Sequence, residues 1–441
     1  ISEQKKAKET IWYQANYDSL TQLANRHYLY KKLHQFIQQC EASNEHFAVI
    51  YLDIDNFKEV NDAFGHSTGD ALLVEISQRI NRLCNDDNGT AGRISGDSFC
   101  LLIPYKQHTS TIQTLAHNIL DTLSTPFSIG AHKIFSSASI GISLFKQHTS
   151  DADTLLTQSN QAMQAAKANG RNCFQFFTLS MQEKALDRIE LSRDLHSAIA
   201  NGELYIEYQP IFCFQEDTLK KVEALLRWKH PMRGIVSPTE FIPIAEENGL
   251  IDAIGYWLFS EVIRTIQHWQ EKYDSTIQVS INASPLYFRE GNDILTVWQQ
   301  QLLDAKLSSD AVIIEITEGL LLDTSEHTTK LLLQLRDSGI QVALDDFGTG
   351  YSSLAYLKRL DIDYLKIDKS FIDNIQHASN EEILCEAIIA MAHKLNLQVI
   401  AEGIETKKQY DIIKLIGCNY GQGFLYSKPL SAKELASQFL A

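Results

Sequence analysis

The second half of the chain alternates short apolar runs with amphipathic helical spans, and this alternation constrains the fold more than any other feature. Runs of four to eight apolar residues bounded by turn signals are typical of buried strands. Strands that alternate with helices over roughly 240 residues indicate a (β/α)8 barrel. Helical patterns separate most of the runs, for example Glu261–Trp269, Thr328–Ser338 and Glu381–Leu395. The predicted strands are Leu204–Gln209, Lys221–Leu226, Gln278–Ile281, Val312–Ile316, Gln341–Leu344, Tyr364–Ile367, Gln398–Ile400 and Gly421–Leu425.

Polar side chains lie within or directly after most of these runs. The carboxyl ends of barrel strands open onto one mouth, where active sites lie. Buried carboxylates cost several kcal/mol unless they are paired or metal-bound, and carboxylate and amide oxygens without neighbouring Cys or His suit Mg²⁺ or Mn²⁺ better than zinc. The repeated placement disfavours the alternative, in which each acid is a separate exposed strand-end residue. The residues are Glu223, Asn282, Glu315, Glu318, Asp345, Asp346, Lys366, Asp368, Glu402 and Glu405.

The first half of the chain has fewer strand-like runs. Those at Phe47–Leu52, Ser98–Ile103 and Ile134–Leu144 are interleaved with helical patterns at Gly69–Leu83 and Thr111–Leu123. This arrangement, over roughly 160 residues, indicates an α/β domain. The charged stretch Ser180–Asn201 predicts a connecting helix. We therefore expect a connector helix over residues 1–16, a first domain over 17–178, a linker helix over 179–201 and a second domain over 202–441.

The net charge and the cysteines argue against two classes of protein, those that bind nucleic acid polymers and those held by disulfides or zinc. The formal net charge of -16 argues against a nucleic acid polymer as the partner, because such binding needs a basic surface. The seven cysteines are scattered and odd in number, which indicates reduced thiols in a cytoplasm rather than disulfides or a zinc site. No apolar run approaches the ~18 residues of a membrane span. Because the chain begins at Ile1 without a methionine, we also consider a membrane tether in a preceding segment.

The second half carries a series of short motifs spread over nearly its whole length. They are Tyr208-Gln209-Pro210-Ile211, Glu223-Ala224-Leu225 with Leu226-Arg227-Trp228, Ile281-Asn282, Glu315-Ile316-Thr317-Glu318, Asp345-Asp346-Phe347-Gly348-Thr349-Gly350, Leu365-Lys366-Ile367-Asp368, Ala401-Glu402-Gly403-Ile404-Glu405 and Gly421-Gln422-Gly423-Phe424. With these motifs, which occur in the family's order, the second half resembles the EAL domain cyclic di-GMP phosphodiesterases.

That resemblance implies a TIM-like barrel with one reversed strand and a site that binds two Mg²⁺ or Mn²⁺ ions. It implies hydrolysis of cyclic di-GMP to linear pGpG by two-metal catalysis, with a homodimer as the working form. Glu223, Asn282, Glu315 and Asp345 are then metal ligands, and Asp345 with Asp346 serves the second metal. By the same resemblance, Glu402 is the general base and Lys366 positions the attacking water. The substrate contacts are Gln209, Leu225, Arg227 and Gln422, and the supporting acids are Glu318, Asp368 and Glu405.

For two of these residues, the sequence also allows a simpler role than the one implied by the resemblance. Lys366 would serve equally as a salt bridge that closes the acid cluster, since ion pairs also occupy barrel rims. Arg227 would equally pair with a neighbouring acid, although its guanidinium suits bidentate contact with phosphate.

The first half carries, in order, the motifs Asp18-Ser19-Leu20-Thr21, Asp53-Ile54-Asp55-Asn56-Phe57-Lys58, Asn61-Asp62, Gly65-His66 and Gly69-Asp70. Through these motifs it resembles the GGDEF domain of diguanylate cyclases over residues 17–177, which implies a mixed central sheet. Its signature has changed, because Ser95-Gly96-Asp97-Ser98-Phe99 stands where the family has Gly-Gly-Asp-Glu-Phe. Ser95 would crowd the nucleotide phosphates that the first glycine admits, and Ser98 carries no charge. We therefore expect lost cyclase activity and leave GTP binding open. The candidate GTP-binding residues are Asp53, Asn61, Asp70 and Asp97.

The leading functional prediction is a phosphodiesterase regulated by an inactive GGDEF domain. A cyclic di-GMP receptor without catalysis is the second reading, and replacement of Glu402, Lys366 or the two aspartates would favour it. A bifunctional cyclase and phosphodiesterase is the third, and Ser95 and Ser98 argue against it.

Overall fold

The computed structural model describes residues 2–43, 45–86, 89–105, 109–321, 326–348 and 362–441. The chain divides into two compact units, with the division between Arg188 and Ile189. Within the described ranges, no helix combines the length and the apolar character that a membrane span requires.

The first unit is built on a six-stranded sheet in the order β1-β3-β4-β2-β7-β8. β1 and β3 are parallel, as are β7 and β8, and the other pairs are antiparallel, so the sheet is mixed as predicted. The elements are α1 (Ser2–Asn16), β1 (Ala24–Asn25), α2 (Arg26–Ser43), β2 (His46–Ile54), α3 (Phe57–Phe64), α4 (His66–Asp86), β3 (Thr90–Ser95), β4 (Ser98–Tyr105), α5 (Ser110–Ser124), β5 (Phe127–Ile129), β6 (His132–Ile134), β7 (Ala138–Leu144), α6 (Ala152–Ala168), β8 (Phe174–Phe176) and α7 (Leu179–Ala198), which runs on into the second unit.

Strand β2 shows how the sheet divides its core. Side chains alternate between the two faces of a strand, and on β2 both faces are apolar. Ile50 and Leu52 belong to the cluster that includes residues of α4 and α5, whereas Phe47 and Val49 pack with residues of α2 and α6. Asp53 continues the second set and lies one residue before the end of the strand, among polar groups.

The second unit is a barrel, which confirms the predicted fold class. Its strands follow the order β11-β10-β12-β13-β14-β15-β16-β17-β9, and β9 also pairs with β10 to close the ring. The elements are β9 (Leu204–Cys213), β10 (Thr218–His230), β11 (Gly234–Val236), α8 (Pro238–Glu247), α9 (Ile251–Tyr273), β12 (Gln278–Asn282), α10 (Ile294–Asp304), β13 (Val312–Thr317), α11 (Glu318–Leu321), α12 (Glu326–Asp337), β14 (Gln341–Phe347), β15 (Tyr364–Ile367), α13 (Lys369–Ile372), α14 (Asn380–Lys394), β16 (Gln398–Ala401), α15 (Lys407–Leu415), β17 (Tyr420–Gln422) and α16 (Ala432–Phe439). Two 3₁₀ helices cover Pro285–Phe288 and Ser309–Ala311.

One barrel strand runs opposite to its neighbours, as the resemblance implied. β9 is antiparallel to both β10 and β17, while β10 and the strands from β12 to β17 are mutually parallel. β9 and β10 are joined by a tight connection in which Asp217 has a left-handed φ of 53°. No helix therefore separates these two strands, unlike the regular alternation elsewhere in the barrel.

Most predicted strands are shorter than the observed ones, for example Leu204–Gln209 within β9 and Lys221–Leu226 within β10. Two predicted strands differ in other ways. The run Ile134–Leu144 is divided, because β6 ends at Ile134 and β7 begins at Ala138. The last strand ends at Gln422 rather than Leu425, since the backbone at Gly423 lies against Ile404. A Cβ on Gly423 would stand 2.1 Å from the carbonyl oxygen of Ile404, so the chain leaves the sheet at a position that only glycine can occupy.

Candidate active site

The barrel strands direct alternate side chains inward, and this alternation forms the candidate site. On β10, Val222, Ala224 and Leu226 pack in the main apolar core. The alternating positions Lys221 and Glu223 therefore face the barrel interior. The same argument applies to Glu315 and Lys366, whose neighbours on β13 and β15 pack in the main core, and it brings both side chains into the barrel near its carboxyl end.

Lys366 stands at the centre of these acids. Its Nζ lies 2.7 Å from Oε2 of Glu315, 2.6 Å from Oε1 of Glu402, 3.1 Å from Oδ1 of Asp345 and 3.7 Å from Oε2 of Glu223. The side chain of Lys366 is 1% exposed. Among the described residues, Lys366 is the only cation in ion-pair contact with these four carboxylates. The salt bridge that the sequence left as an alternative role for Lys366 is therefore present.

One ammonium group cannot balance four carboxylates, of which Glu223 and Glu315 are buried and Asp345 and Glu402 half-buried, and the pKa values of three of them reflect this. Burial raises the pKa of Glu315 well above its ordinary range, against the opposing effect of Lys366. Burial likewise raises the pKa of Glu402 to about 8. Burial also acts on Glu223, but Lys366 and hydrogen bonds from Gln422 and Asn282 outweigh it and lower that pKa. The four acids together raise the pKa of Lys366, although burial opposes them.

Asp345 and Asp346 are adjacent in sequence, yet their carboxylates lie at the same site. Strand β14 is irregular at this point. The register between β14 and β15 shifts between Leu344 and Phe347, and Asp346 has a left-handed φ of 54°. Successive residues of a regular strand would point to opposite faces, whereas a bulge redirects one of them. Carboxylate oxygens of Asp345, Asp346 and Glu402 consequently lie within 4.8 Å of one another.

This donor set fits a hard divalent cation. The three acids of that group offer oxygen ligands at the spacing a shared ion requires. In addition, Oε1 of Glu315 is buried and accepts no hydrogen bond from any residue that the structure describes. An oxygen of that kind carries a desolvation cost that a cation would remove.

Three amide side chains surround Glu223. Asn282 Nδ2 donates to Oε1 of Glu223 at 2.8 Å, and Gln422 Nε2 donates to Oε2 at 2.6 Å. Gln422 Nε2 also donates to Oε1 of Gln209 at 3.0 Å. The structure thus joins predicted metal ligands and predicted substrate contacts in one hydrogen-bonded group.

Arg227 is held by an acid that the sequence did not single out. Its Nε donates to Oε2 of Glu207 at 2.8 Å, so the pairing considered above is present. Leu225 is half-buried and lies opposite Glu207 in the pairing of β9 with β10. Glu207 could not be identified from the sequence, because its place opposite Leu225 depends on the register of this hairpin.

The three predicted supporting acids have different surroundings. Oε2 of Glu318 accepts from the backbone N–H of Gly348 at 3.3 Å, and the chain from Thr349 to residue 361 lies outside the described residues. Asp368 caps α13 by accepting from Ser370 N at 3.0 Å. Glu405 is exposed and lies 2.6 Å from Nζ of Lys369, so it does not belong to the group around Lys366.

In the first unit, Ser98 of the altered signature forms a hydrogen bond with Asp53. Ser98 Oγ donates to Oδ2 of Asp53 at 2.8 Å, and Lys167 Nζ lies 2.5 Å from Oδ1. Burial, and then the charge of Asp53, raise the pKa of Asp97. Both oxygens of Asp53 therefore have protein partners, one of which is the serine that replaces the family's acid.

The other two candidate GTP-binding residues lie on helices. Asn61 is on α3 and Asp70 is on α4, and these helices pack together. The side chain of Asn61 crosses Gly69, where a Cβ would stand 2.0 Å from its Oδ1. Among the described residues, neither Asn61 nor Asp70 is hydrogen-bonded to Asp53 or Asp97.

Comparison with known proteins agrees with both resemblances. Residues 192–429 match the EAL domain family, and residues 15–173 match the family described as diguanylate cyclase, GGDEF domain. The chain is 38% identical over 421 residues to the bifunctional diguanylate cyclase/cyclic di-GMP phosphodiesterase MucR of Pseudomonas aeruginosa, covering 96% of this chain and 61% of that protein. It is 37% identical over 432 residues to the cyclic di-GMP phosphodiesterase PdeR of Escherichia coli, covering 98% and 64%. The chain thus spans less than two thirds of either relative.

Solved structures show the same folds. The PaMucR phosphodiesterase in complex with c-di-GMP is 37% identical, with a TM-score of 0.53, and the match covers 56% of this chain and 99% of that one. The S helix-GGDEF-EAL part of Vibrio cholerae LapD, bound to c-di-GMP, matches 97% of this chain and 100% of its own with a TM-score of 0.66. Its 20% identity supports the fold alone. With the EAL match covering more than half of its residues, the chain belongs to the EAL domain family and carries a GGDEF domain before its EAL domain.

Proposed function

We propose that the barrel, over residues 202–441, is a phosphodiesterase that hydrolyses cyclic di-GMP to linear pGpG with bound Mg²⁺ or Mn²⁺. The observation that carries this proposal is the convergence of Glu223, Glu315, Asp345 and Glu402 on the single ammonium group of Lys366. This excess of negative charge favours the binding of divalent cations, and bound cations in turn can contact a phosphodiester. The relatives named as phosphodiesterases support the choice of substrate.

Two divalent cations fit the oxygen donors of the mouth. Glu223, Asn282, Glu315 and Asp345 would hold one, and Asp345 with Asp346 would hold the other. When bound, such a pair supplies Lewis-acid chemistry, neutralising charge on the phosphodiester and making a water more acidic. Because Asn282 Nδ2 already donates to Glu223, its amide oxygen is the atom left for a cation.

The remaining residues bind the dinucleotide and move the proton. Glu402 accepts the proton of the attacking water, and Lys366 orients Glu402 and Glu315 through its ion pairs. The guanidinium of Arg227 contacts phosphate, while Gln209, Leu225 and Gln422 line the substrate path. Glu318, Asp368 and Glu405 support the segments that carry these residues.

We infer further that the first domain, over residues 17–178, regulates the barrel and makes no cyclic di-GMP. Both oxygens of Asp53 are engaged by Ser98 and Lys167, and Ser98 brings no negative charge for a second metal contact. GTP remains a ligand for this domain through Asp53, Asn61, Asp70 and Asp97, and the full protein acts as a homodimer. MucR is named as bifunctional, but the serine at position 98 argues against a cyclase in this chain.

The test is hydrolysis of cyclic di-GMP by the 441-residue chain, followed by chromatography of pGpG. We expect product with Mg²⁺ or Mn²⁺ and none after chelation. Glu223→Ala should reduce kcat by at least about 100-fold, a loss typical of removing one electrostatic contact to the transition state. Glu261→Ala is the matched control, because Glu261 pairs with Arg264 on the outside of the barrel. Full activity in Glu223→Ala, or hydrolysis that survives chelation, would overturn the proposal.

A further inference from the structure

A second cavity lies at the opposite end of the barrel from the acid cluster. Its volume is about 500 Å³, which is within the usual range for small-molecule sites. It opens where β10, β12 and β17 begin, and its lining includes Lys221, Gln278 and Tyr420. Lys221 precedes Glu223 by two residues on β10, so both side chains face the barrel interior at successive levels. We call this space the floor cavity.

Lys221 is the buried polar group of the floor cavity. The residue is 2% exposed. Its Nζ donates to Oε1 of Gln278 and, at 2.9 Å, to the hydroxyl oxygen of Tyr364. The ring centroids of Tyr364 and Tyr420 lie 4.4 and 5.0 Å from the same nitrogen.

This arrangement leaves a buried cation without an anion in direct contact among the described residues. An ammonium group has three hydrogens to donate, and Lys221 has two described acceptors, both neutral. Among the described residues, no carboxylate lies within ion-pair distance of its Nζ. Burying a charge without an opposite charge is costly, and the tyrosine rings compensate only in part.

The rest of the lining suits a small anion with an apolar body. Ile277, Ala311 and the ring of Tyr420 supply apolar surface next to Lys221. The acids at the cavity are Glu216 and Asp310, both exposed. Glu216 is already paired with Lys220 at 2.7 Å, which leaves Asp310 as the one acid among the described lining residues without an ion pair.

We propose that the floor cavity binds a small organic carboxylate, whose anionic group contacts Nζ of Lys221 and whose apolar part lies against Ile277 and Tyr420. The ligand supplies the direct ion-pair contact that the more distant charges of Asp363 and Asp310 do not make. This inference is independent of the proposed phosphodiesterase activity, because it concerns the other end of the barrel.

The test uses calorimetric titration of the full chain at pH 7 with benzoate and with benzamide, a neutral molecule of nearly the same shape. We expect benzoate to bind with a Kd of about 1 mM or tighter and benzamide at least tenfold more weakly. Lys221→Met should lose benzoate binding by at least tenfold, whereas Lys272→Met, a change at an exposed lysine on α9, should retain it. Equal binding of the two compounds, or undiminished binding by Lys221→Met, would refute the proposal.

A measurement on the unaltered chain keeps the inference testable if Lys221→Met does not fold. Crystals grown with 4-bromobenzoate should show the anomalous signal of bromine inside the floor cavity. A signal confined to other places, or no signal at all, would count against the proposal.

Discussion

Nζ of Lys366 lies 2.6 Å from Oε1 of Glu402, which joins the proposed general base to the one described cation that pairs with the four clustered carboxylates. The same nitrogen contacts Glu315 at 2.7 Å. Lys366 thus balances charge and orients the base at once, and loss of its ammonium group should affect both stability and catalysis.

We expect Lys366→Met to reduce kcat for cyclic di-GMP by roughly 100-fold or more. The variant should also be less stable without added metal, since the buried acids lose their counterion. Added Mn²⁺ should therefore raise Tm more in the variant than in the unaltered chain. Lys407→Met is the control, because Lys407 pairs with Asp411 on the exposed face of α15. Unchanged kcat in Lys366→Met would contradict this role.

Replacement of Glu207 should weaken substrate binding without stopping the reaction. Glu207→Gln removes the ion pair that holds Arg227, a partly exposed contact worth about 1 kcal/mol. KM should rise about three- to tenfold, with kcat little changed and Glu207→Asp restoring part of the loss. A fall in kcat at constant KM would instead place Glu207 in the chemical step.

The GGDEF domain should form no cyclic di-GMP from GTP. The assay should use the Glu223→Ala variant, because any cyclic di-GMP formed would not be hydrolysed by it. If GTP regulates the barrel, the hydrolysis rate of the unaltered chain should change as GTP rises from ~1 μM to ~1 mM. Detection of cyclic di-GMP would disprove the lost-cyclase prediction, and a constant rate over that range would rule out the GTP sensor.

Lys221 should make stability depend on pH in the alkaline range. Burial lowers its pKa in the folded chain from 10.5 to about 8. Between these values the unfolded chain binds more protons, so this residue's contribution to stability becomes more favourable as pH rises. We expect the unfolding free energy of the unaltered chain, measured relative to Lys221→Met, to increase by about 3 kcal/mol between pH 7 and pH 10.5. Denaturant titrations at several pH values measure this difference, and a constant difference would show that burial does not lower the pKa of Lys221.

The sequence predicts the parts of the site that depend on alternation along single strands. The strand Tyr364–Ile367 has the predicted bounds, and the side chains of Glu315 and Lys366 meet because parallel strands end at one mouth. The family motifs add the reversed strand, which periodicity alone does not reveal.

Other features depend on contacts between distant segments, which no local pattern records. The bulge that brings Asp345 and Asp346 together arises from the pairing of β14 with β15. The ion pair of Glu207 with Arg227 requires the register of β9 against β10. Local signals likewise could not show that Ser98 donates to Asp53, since that bond follows from the pairing of β2 with β4.

The reversed strand has a consequence for synthesis on the ribosome. β9 is the first barrel strand to be made, and it closes the ring with β17, in which Ile211 is paired with Gln422. Gln209 and Gln422 therefore meet only after the last strand has left the exit tunnel. Nascent chains that stop before Tyr420 should expose an open β-sheet edge, which is prone to aggregation.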